Sequence, residues 1–400
     1  MQTNFELTIE KLVYGGDALG RVDGRVVLAP FALPGETVSV LPESVRSSLL
    51  RAKVDSVLAP STKRIEPACS YFMRCGGCHY QHASYELQVD SKKDILREVL
   101  RRIGKIDWTD EIDTVLGDEW GYRNRTQFRI EGDEIGFREA RSHKLCGIEA
   151  CPISSPRINE TLAVLGRMMR DSRWPRFIKS LELFTNETEV QVNVLESDRP
   201  VARRFFDWCA EGIPGAAAGS LDYRCGPFLF RVGNKSFFQV NRFLAQSLAD
   251  VAVGDARGET ALDLYAGVGL FSLALASRFT RVTAVESGAG AARDLKHNAA
   301  LAGLPVEAVQ SDATLYLEKV DHAPDFVMAD PPRSGLGKTV VRELIRLAPR
   351  EIAVVACDPA TLARDLAELL AAGYKLKKLT VIDLFPQTFH IETVARLEWE

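Results

Sequence analysis

The sequence lacks long apolar runs, internal repeats and low-complexity tracts, and these absences limit the classes of protein that fit. No stretch of about 18 uncharged apolar residues occurs, so a membrane-spanning helix is not expected. The first residues, MQTNFELTIEK, carry acids where a signal peptide needs a basic and then an apolar segment. We therefore expect a cytoplasmic protein without a membrane partner, and by default a monomer.

An excess of positive charge is also missing, because 50 Lys and Arg residues stand against 54 Asp and Glu residues, a net charge of −4. Any contact with nucleic acid must therefore come from local basic faces and not from the overall charge. A solvated surface balanced by nearby acids is the competing interpretation of each face. The candidates are Arg97, Arg101, Arg102 and Lys105 on one expected helix, and Arg123, Arg125 and Arg129 in YRNRTQFRI.

The 400 residues divide into three segments of different character, as the length suggests. Residues 1–58 show short strands separated by turn signals, a spacing that predicts a small β-barrel. Residues 59–235 begin with a cysteine cluster, continue with a helical pattern over 85–106 and then become strand-rich. We expect the helix over 85–106 to pack on the domain formed by residues 236–400.

Residues 236–400 alternate apolar strands with helices, which predicts an α/β fold of the Rossmann type. In such a fold a parallel sheet is covered by helices on both faces. The last two strands, LTVIDLF and TVARLEW, have no helix between them. They are therefore expected to form an antiparallel pair at the edge of the sheet.

Glycines and acids follow successive strands of this domain. The turn Tyr265–Gly269 follows the first strand, and Glu286, Asp312 and Asp330 end the next three. Open α/β sheets bind ligands at this edge. A dinucleotide loop would have a third glycine at position 272, where Ser272 stands, whereas S-adenosylmethionine has no pyrophosphate to bind. We predict an S-adenosylmethionine site, with the backbone at Gly267 approaching the ligand and Glu286 accepting hydrogen bonds from the ribose.

The motif DPPR at residues 330–333 bears on which atom is methylated. Enzymes that methylate amines place an aromatic residue where Arg333 stands, so its absence favours carbon. Carbon 5 of uracil is a poor nucleophile until a thiolate adds to carbon 6. Cys357 follows the strand EIAVVA at the same edge as Asp330, and we predict that it supplies this thiolate. A buried structural cysteine is the competing interpretation.

A base must then remove the proton from carbon 5. The terminal segment FPQTFHIETVARLEWE offers His390 and Glu392, near the start of the last strand. Because they are two residues apart, their side chains face the same way. Both could therefore reach the site, and a satisfied surface pair is the alternative.

Four of the eight cysteines form a candidate metal site: Cys69, Cys75, Cys78 and Cys151. In a cytosolic chain, clustering favours metal binding or catalysis over disulfides. Four thiolates suit zinc, but the spacing differs from the paired Cys-x2-Cys of zinc ribbons, and iron–sulfur clusters also use four cysteines. The spacing alone leaves both metals open, and Cys146 competes as the fourth ligand.

Together these motifs resemble those of the bacterial uridine-5 RNA methyltransferase family, whose rRNA members carry a TRAM domain and an iron–sulfur cluster. The resemblance covers nearly the whole chain. YGGDALGRVDGRVVLAPFALPGE is similar to the TRAM barrel, an oligonucleotide-binding-type fold, and CSYFMRCGGCHYQH is similar to the cluster motif. FFQVN, DLYAGVG, DPPRSGL, CDPATLARDL and FPQTFHIE are similar to the catalytic motifs. The resemblance implies methylation of RNA at carbon 5 of uridine, with rRNA favoured over tRNA.

The resemblance also implies roles for individual residues. Cys357 would be the nucleophile and Glu392 the proton acceptor, with Asp330 close to both cofactor and uracil. The implied cofactor contacts are Gln239, Tyr265, Glu286 and Asp312, and the implied ligands of a 4Fe–4S cluster are Cys69, Cys75, Cys78 and Cys151.

Two positions depart from the family pattern. Leu270 stands where some members have Asn, and Asp358, which follows Cys357, stands where others have Asn. Two other classes of protein must be weighed as well, an RNA-binding protein without catalysis and an iron–sulfur redox enzyme. Absence of methyl transfer despite tight RNA binding would favour the first, and binding of nicotinamides in place of S-adenosylmethionine would favour the second.

Overall fold

The amino-terminal part of the molecule is a β-barrel. The computed structural model describes residues 4–46, 49–217 and 219–399. The barrel strands are β1 (Phe5–Leu12), β2 (Asp17–Val22), β3 (Arg25–Pro30), β4 (Thr37–Arg46) and β5 (Leu49–Ala59). They close in the order β1-β2-β3-β5-β4, which confirms the predicted barrel. Alternate residues of β1, such as Leu7 and Ile9, are buried inside it.

A helix follows residues 66–82, which we call the cysteine-rich segment because they contain Cys69, Cys75 and Cys78. α1 (Tyr85–Val99) begins at Ser84, whose hydroxyl accepts a hydrogen bond from the Leu87 backbone N–H. It widens into a π-helical turn over Leu100–Gly104 and stops at Lys105, where φ is 55°. Regular α-helix therefore ends before the boundary at residue 106 that the sequence predicted.

The middle of the chain forms a second sheet with helices beside it. Its strands are β7 (Arg125–Glu131), β8 (Glu134–Arg138), β9 (Leu145–Gly147), β10 (Ile178–Thr185), β11 (Val190–Ser197) and β12 (Ala216–Ala217), in the order β12-β11-β10-β7-β8-β9. β7 and β8 form a hairpin that turns at Gly132. The helices beside it are α2 (Pro156–Met168) and α3 (Arg203–Gly212), and the hairpin of β13 (Leu221–Cys225) and β14 (Phe228–Val232) follows.

The carboxy-terminal part has the predicted α/β architecture. Its strands are β15 (Gly258–Leu264), β16 (Phe279–Glu286), β17 (Val306–Gln310), β18 (Phe326–Ala329), β19 (Glu351–Ala356), β20 (Tyr374–Ile382) and β21 (Glu392–Trp399). Its helices are α4 (Ala245–Val253), α5 (Leu270–Ala276), α6 (Ala289–Ala302), α7 (Ala313–Leu317), α8 (Gly337–Leu347) and α9 (Pro359–Ala371). β17, β16, β15, β18 and β19 are parallel neighbours, so their carboxyl ends share one edge.

The edge of this sheet differs from the prediction. β20 and β21 pair antiparallel as expected, and β21 lies between β19 and β20. The outermost strand, however, is β6 (Asp113–Val115), which pairs parallel with β20. The prediction that the terminal pair forms the edge is therefore wrong, because a strand from the middle segment covers it.

One hydrophobic core joins the barrel to the α/β sheet. It runs from Leu7 in the barrel through Leu96 in α1 to Leu262 and Val354 in the sheet. Within this contact Lys92 of α1 lies buried, and its ammonium is 2.6 Å from the Asp383 carboxylate. Through these contacts α1 lies against residues of the carboxy-terminal segment. No helix in the described ranges is long and apolar enough to cross a membrane.

Candidate active site

A glycine turn begins the site at the end of β15. Tyr265, Gly267 and Gly269 all have positive φ, of 62°, 56° and 99°, so the chain reverses sharply before α5. A Cβ at Gly269 would lie 2.7 Å from the Leu295 side chain, so only glycine fits there without a shift. The turn thus places backbone atoms at the carboxyl edge of the sheet.

Glu286 at the end of β16 is bonded to this turn. One carboxylate oxygen accepts a hydrogen bond from the Gly267 N–H at 2.9 Å, and the other accepts from the Gly288 N–H at 2.6 Å. Each oxygen has a further lone pair, so the carboxylate can still accept from a ligand. The geometry suits the predicted ribose contact.

Ser272, which stands where a dinucleotide loop would have glycine, has a structural partner. Its hydroxyl donates to the carboxylate of Asp263, a buried residue on β15. Burial is the main cause that raises the pKa of Asp263 to about 7, and the Ser272 hydrogen bond opposes that shift. Asp263 begins the motif DLYAGVG and Ser272 was singled out as a departure from a dinucleotide loop, but no local pattern predicts that the two side chains bond to each other.

The turn faces a cavity of about 480 Å³ that brings most of the predicted site residues together. These are Gln239, Tyr265, Gly267, Glu286, Asp330, Cys357 and Glu392. Other lining residues that were not assigned a contact include Phe237, Phe238, Phe385 and Leu270. Leu270 therefore offers an apolar surface where some relatives of the resembled family have an amide.

Asp312 does not line this cavity in the described structure. Its carboxylate caps α7, accepting from the backbone N–H groups of Thr314 and Leu315. Its negative charge contributes to raising the pKa of Tyr265, so the two side chains are near each other. The predicted cofactor contact at Asp312 thus has a helix cap as a competing role.

Acidic groups outnumber basic ones around Cys357. Burial raises the pKa of the Cys357 thiol to about 11, the Glu392 and Asp330 charges raise it further, and Arg333 opposes them. Burial also raises the pKa of Asp330 to about 7 and that of Glu392 well above its usual value. These acidic groups therefore tend to stay protonated, and a cation bound in the cavity would lower their pKa values.

His390 lines the same cavity and is neutral. Burial, followed by the charge of Arg333, lowers its pKa to about 3. Its ring lies 4.3 Å from that of Phe389, centroid to centroid. A neutral imidazole packed among aromatic rings fits a wall of the site better than a proton acceptor, which leaves Glu392 as the candidate base.

The loop that carries His390 is held by the middle part of the chain. The backbone N–H groups of His79 and Tyr80 donate to the Gln387 carbonyl, at 2.8 and 3.0 Å. Tyr122 donates its hydroxyl to the Pro386 carbonyl at 3.0 Å. We call residues 383–391 the base loop, because it leads into Glu392.

The four clustered cysteines surround a second cavity, of about 410 Å³. All four are free thiols, and burial raises the pKa of Cys75 and Cys78 to about 12. Within the described residues no group of three or more His, Cys, Asp or Glu side chains could hold a single metal ion. Cys146 is buried on β9 outside the cavity lining, so Cys151 is the better placed fourth cysteine.

Several candidate basic residues are already paired with acids. Arg125 is only 6% exposed and pairs with Glu182 at 3.2 Å. Arg129 pairs with Glu196, and Arg102 pairs with Glu98 one helical turn away. At these positions the positive charge is balanced by nearby acids, which was the competing interpretation of the basic faces.

A parallel sheet with a glycine turn, a carboxylate bonded to that turn and a cavity at its carboxyl edge defines a class I S-adenosylmethionine-dependent methyltransferase. Family models agree, matching a TRAM domain at residues 3–54, a methyltransferase small domain at 238–354 and tRNA (Uracil-5-)-methyltransferase at 314–399.

Relatives cover the whole chain. An "Uncharacterized RNA methyltransferase" of Aquifex aeolicus is 33% identical over 98% of each chain. The 23S rRNA (uracil(1939)-C(5))-methyltransferase RlmD of Halomonas elongata is 32% identical over 98% of this chain and 89% of its own. The Pyrococcus abyssi tRNA (uracil-54, C5)-methyltransferase, solved with S-adenosyl-L-homocysteine, is 26% identical with a TM-score of 0.75, over 99% of this chain and all of its own. The chain belongs to the RNA (uracil-5-)-methyltransferase family, as its motifs predicted.

Proposed function

We propose that this enzyme transfers the methyl group of S-adenosylmethionine to carbon 5 of a uridine in 23S rRNA. The observation that carries the proposal is that Cys357, Asp330 and Glu392 line the same cavity as the glycine turn. Nucleophile, base and cofactor site then face one bound nucleotide. The choice of rRNA is supported by relatives that are named as 23S rRNA methyltransferases.

The chemistry proceeds by covalent catalysis. The Cys357 thiolate adds to carbon 6 of uracil, and the electrons of the carbon 5–carbon 6 double bond move to form an enolate. Carbon 5 then attacks the sulfonium methyl, and S-adenosylhomocysteine leaves. Glu392 takes the proton from carbon 5, the double bond forms again, and the Cys357 thiolate is expelled.

Asp330 would stabilise the enolate as a hydrogen-bond donor. A carboxyl with a pKa of about 7 is partly protonated at neutral pH, so it can donate a hydrogen bond to an oxygen that gains negative charge. The uridine must leave its base stack to reach these groups, because a stacked ring exposes neither carbon 6 to a thiol nor carbon 5 to a methyl donor.

RNA that contains 5-fluorouridine tests the covalent step. Fluorine cannot leave carbon 5 as a proton does, so the methylated intermediate stays bonded to the enzyme. We expect a stable adduct on denaturing gels with the wild type and none with Cys357→Ala. Cys225→Ala, which changes a buried cysteine outside both cavities, should form the adduct normally. An adduct with Cys357→Ala would overturn the proposal.

Nucleoside mass spectrometry distinguishes the RNA substrates. Cells without the gene should lack one 5-methyluridine in 23S rRNA and keep the 5-methyluridine of tRNA. The likeness to the archaeal tRNA enzyme makes tRNA the second candidate. Loss of 5-methyluridine from tRNA alone would replace the first substrate with the second.

We also propose that Cys69, Cys75, Cys78 and Cys151 hold a 4Fe–4S cluster. In such a cluster each thiolate binds a different iron, so the ligands stand farther apart than around one ion. Four free cysteines that line one cavity of about 410 Å³ suit that donor set. Methyl transfer needs no electron, so the cluster would serve to fix the fold of the middle segment.

Metal and sulfide analysis after anaerobic purification tests the cluster. We expect about four irons and four sulfides per chain, with loss of both in Cys78→Ser and retention of both in Cys225→Ser. Stoichiometric zinc without sulfide would contradict the cluster and support a four-thiolate zinc site.

A further inference from the structure

The first turn of the barrel reaches the proposed nucleophile. Tyr14 lies between β1 and β2, and its hydroxyl donates to the backbone carbonyl of Cys357 at 3.3 Å. These two residues are 343 positions apart in the sequence. Cys357 itself lies in the short connection between β19 and α9, where few backbone atoms are fixed by the sheet.

The turn that carries Tyr14 is held firmly in place. The Gly16 N–H donates to the Val13 carbonyl at 3.2 Å, which closes a tight turn. A Cβ at Gly16 would lie 2.6 Å from the His79 ring, so the turn is seated directly on the cysteine-rich segment. The Tyr14 ring meets that of Phe389 edge to face at 5.4 Å.

The Tyr14 hydroxyl remains a donor at physiological pH. Burial and then the charges of Asp358 and Cys357 raise its pKa above the usual value, so the proton stays on the phenol. Asp358 in turn caps α9, accepting from the N–H groups of Ala360 and Thr361. The hydroxyl is therefore near both the Cys357 carbonyl and the Asp358 side chain.

We propose that Tyr14 is a positioning residue for the nucleophile, so that the barrel contributes to catalysis as well as to RNA binding. Its hydroxyl fixes the Cys357 carbonyl and thereby the direction in which the thiol points. Reaction rates are sensitive to such placement, since a displacement of about 1 Å can cost about 100-fold. This inference rests on the proposed function, because it takes Cys357 as the nucleophile.

Tyr14→Phe tests the hydroxyl, because it keeps the ring on Phe389 and removes only the hydrogen bond. The control is Tyr374→Phe, which removes another tyrosine hydroxyl that donates to a backbone carbonyl, that of Pro349, at 2.9 Å. Tyr374 is buried against Trp399 and lies outside the catalytic cavity. The measurements are the single-turnover rate of adduct formation with saturating 5-fluorouridine RNA, the RNA affinity, and the melting temperature.

We expect Tyr14→Phe to slow adduct formation at saturation by about tenfold or more, with RNA affinity within about twofold of the wild type. Tyr374→Phe should keep the wild-type rate. A normal rate with weaker RNA binding would show that Tyr14 only contacts RNA, and equal rate losses in both variants would show a merely structural effect. Either result overturns the inference. Adduct formation by Cys357→Ala would instead overturn the proposed function.

Discussion

At the scale of single residues, the candidate active site is a cavity whose acidic groups stay partly protonated because they are buried. Cys357, Glu392 and Asp330 each have a raised pKa, and Arg333 is the cation that opposes the shift at Cys357 and Glu392. In the free enzyme Cys357, the proposed nucleophile, is therefore a thiol. A positively charged methyl donor would favour the Cys357 thiolate and the Glu392 carboxylate, which would couple activation of the proposed nucleophile to binding of the cofactor.

The raised pKa predicts slow alkylation of Cys357 in the free enzyme. Only the thiolate reacts, and with a pKa of about 11 its fraction rises about tenfold per pH unit through neutral pH. The rate with iodoacetamide, followed by mass spectrometry of the Cys357 peptide, should rise throughout the range from pH 6 to about pH 10. A plateau below about pH 8 would mean that the site favours the thiolate without a cofactor.

Residues that the sequence motifs singled out lie in the cavity where the motif itself fixes the backbone. The glycine turn and Glu286 are examples, since the strand and turn that carry them are local. Asp312 was assigned to the cofactor and the structure shows it capping α7. Tyr14 gave no signal because its contact with Cys357 depends on how the barrel docks, which no local pattern encodes.

At the scale of secondary-structure elements, α1 contacts the base loop, and this contact fixes the segment that leads into Glu392. The Lys92–Asp383 pair is buried on both sides, and burial lowers the pKa of Lys92 while Asp383 opposes that shift. Gln88 of α1 adds hydrogen bonds to the Gln387 side chain and backbone. Helix and loop are thus joined by polar contacts inside an apolar core.

Removing one member of this pair should be costly. Lys92→Met would leave the Asp383 carboxylate buried without its cation and lower the free energy of unfolding by about 3–5 kcal/mol. The exposed pair Lys63–Glu86 near the start of α1 is the matched control, and Lys63→Met should cost much less because solvent screens that pair. Urea denaturation measures both. Equal costs would show that the buried pair has no special role.

Because Asp358 caps α9, we predict that Asp at this position, where the family pattern has Asn, impairs neither stability nor catalysis. Asn caps a helix about as well as Asp, so Asp358→Asn should leave stability and adduct formation nearly unchanged. Asp358→Ala loses both hydrogen bonds of the cap and should cost about 1 kcal/mol. Thermal denaturation compares the two variants, and a larger loss for Asn than for Ala would contradict the capping role.

The α/β elements were predicted because their apolar strands and helices alternate in a regular way. β6 was missed because it has three residues, two of them exposed, so it shows no apolar pattern. The end of α1 was misplaced because the π-helical turn continues the helical period of apolar residues. At Gly104 a Cβ would lie 2.7 Å from the Ala363 carbonyl oxygen, so packing against α9 shapes this end of the helix.

At the scale of the whole molecule, the cysteine-rich segment connects both cavities. Cys78 lines the second cavity, and the next two residues, His79 and Tyr80, bind the base loop through their backbone. Phe237 and Val240 line both cavities. A group that holds the cysteines in place would therefore also hold in place the base loop and the residues shared by the two cavities.

Cys78→Ser should loosen the base loop. If the four cysteines hold a cluster, its loss frees the segment that anchors Gln387, and hydrogen exchange at residues 383–391 should become faster. Cys225→Ser, which changes a buried cysteine on β13, should leave exchange in that loop unchanged. Unchanged exchange in Cys78→Ser would show that the loop is fixed independently of the cysteines.

The central claim is that the Cys357 sulfur bonds to the uracil ring and Glu392 allows its release. It is tested most directly by incubating Glu392→Gln with ordinary substrate RNA and S-adenosylmethionine, followed by nuclease and protease digestion and peptide mapping by mass spectrometry. We predict a methylated uridine bonded to the peptide that contains Cys357, because proton removal and thiol expulsion stall. Absence of an adduct, or an adduct on any other residue, would contradict the account.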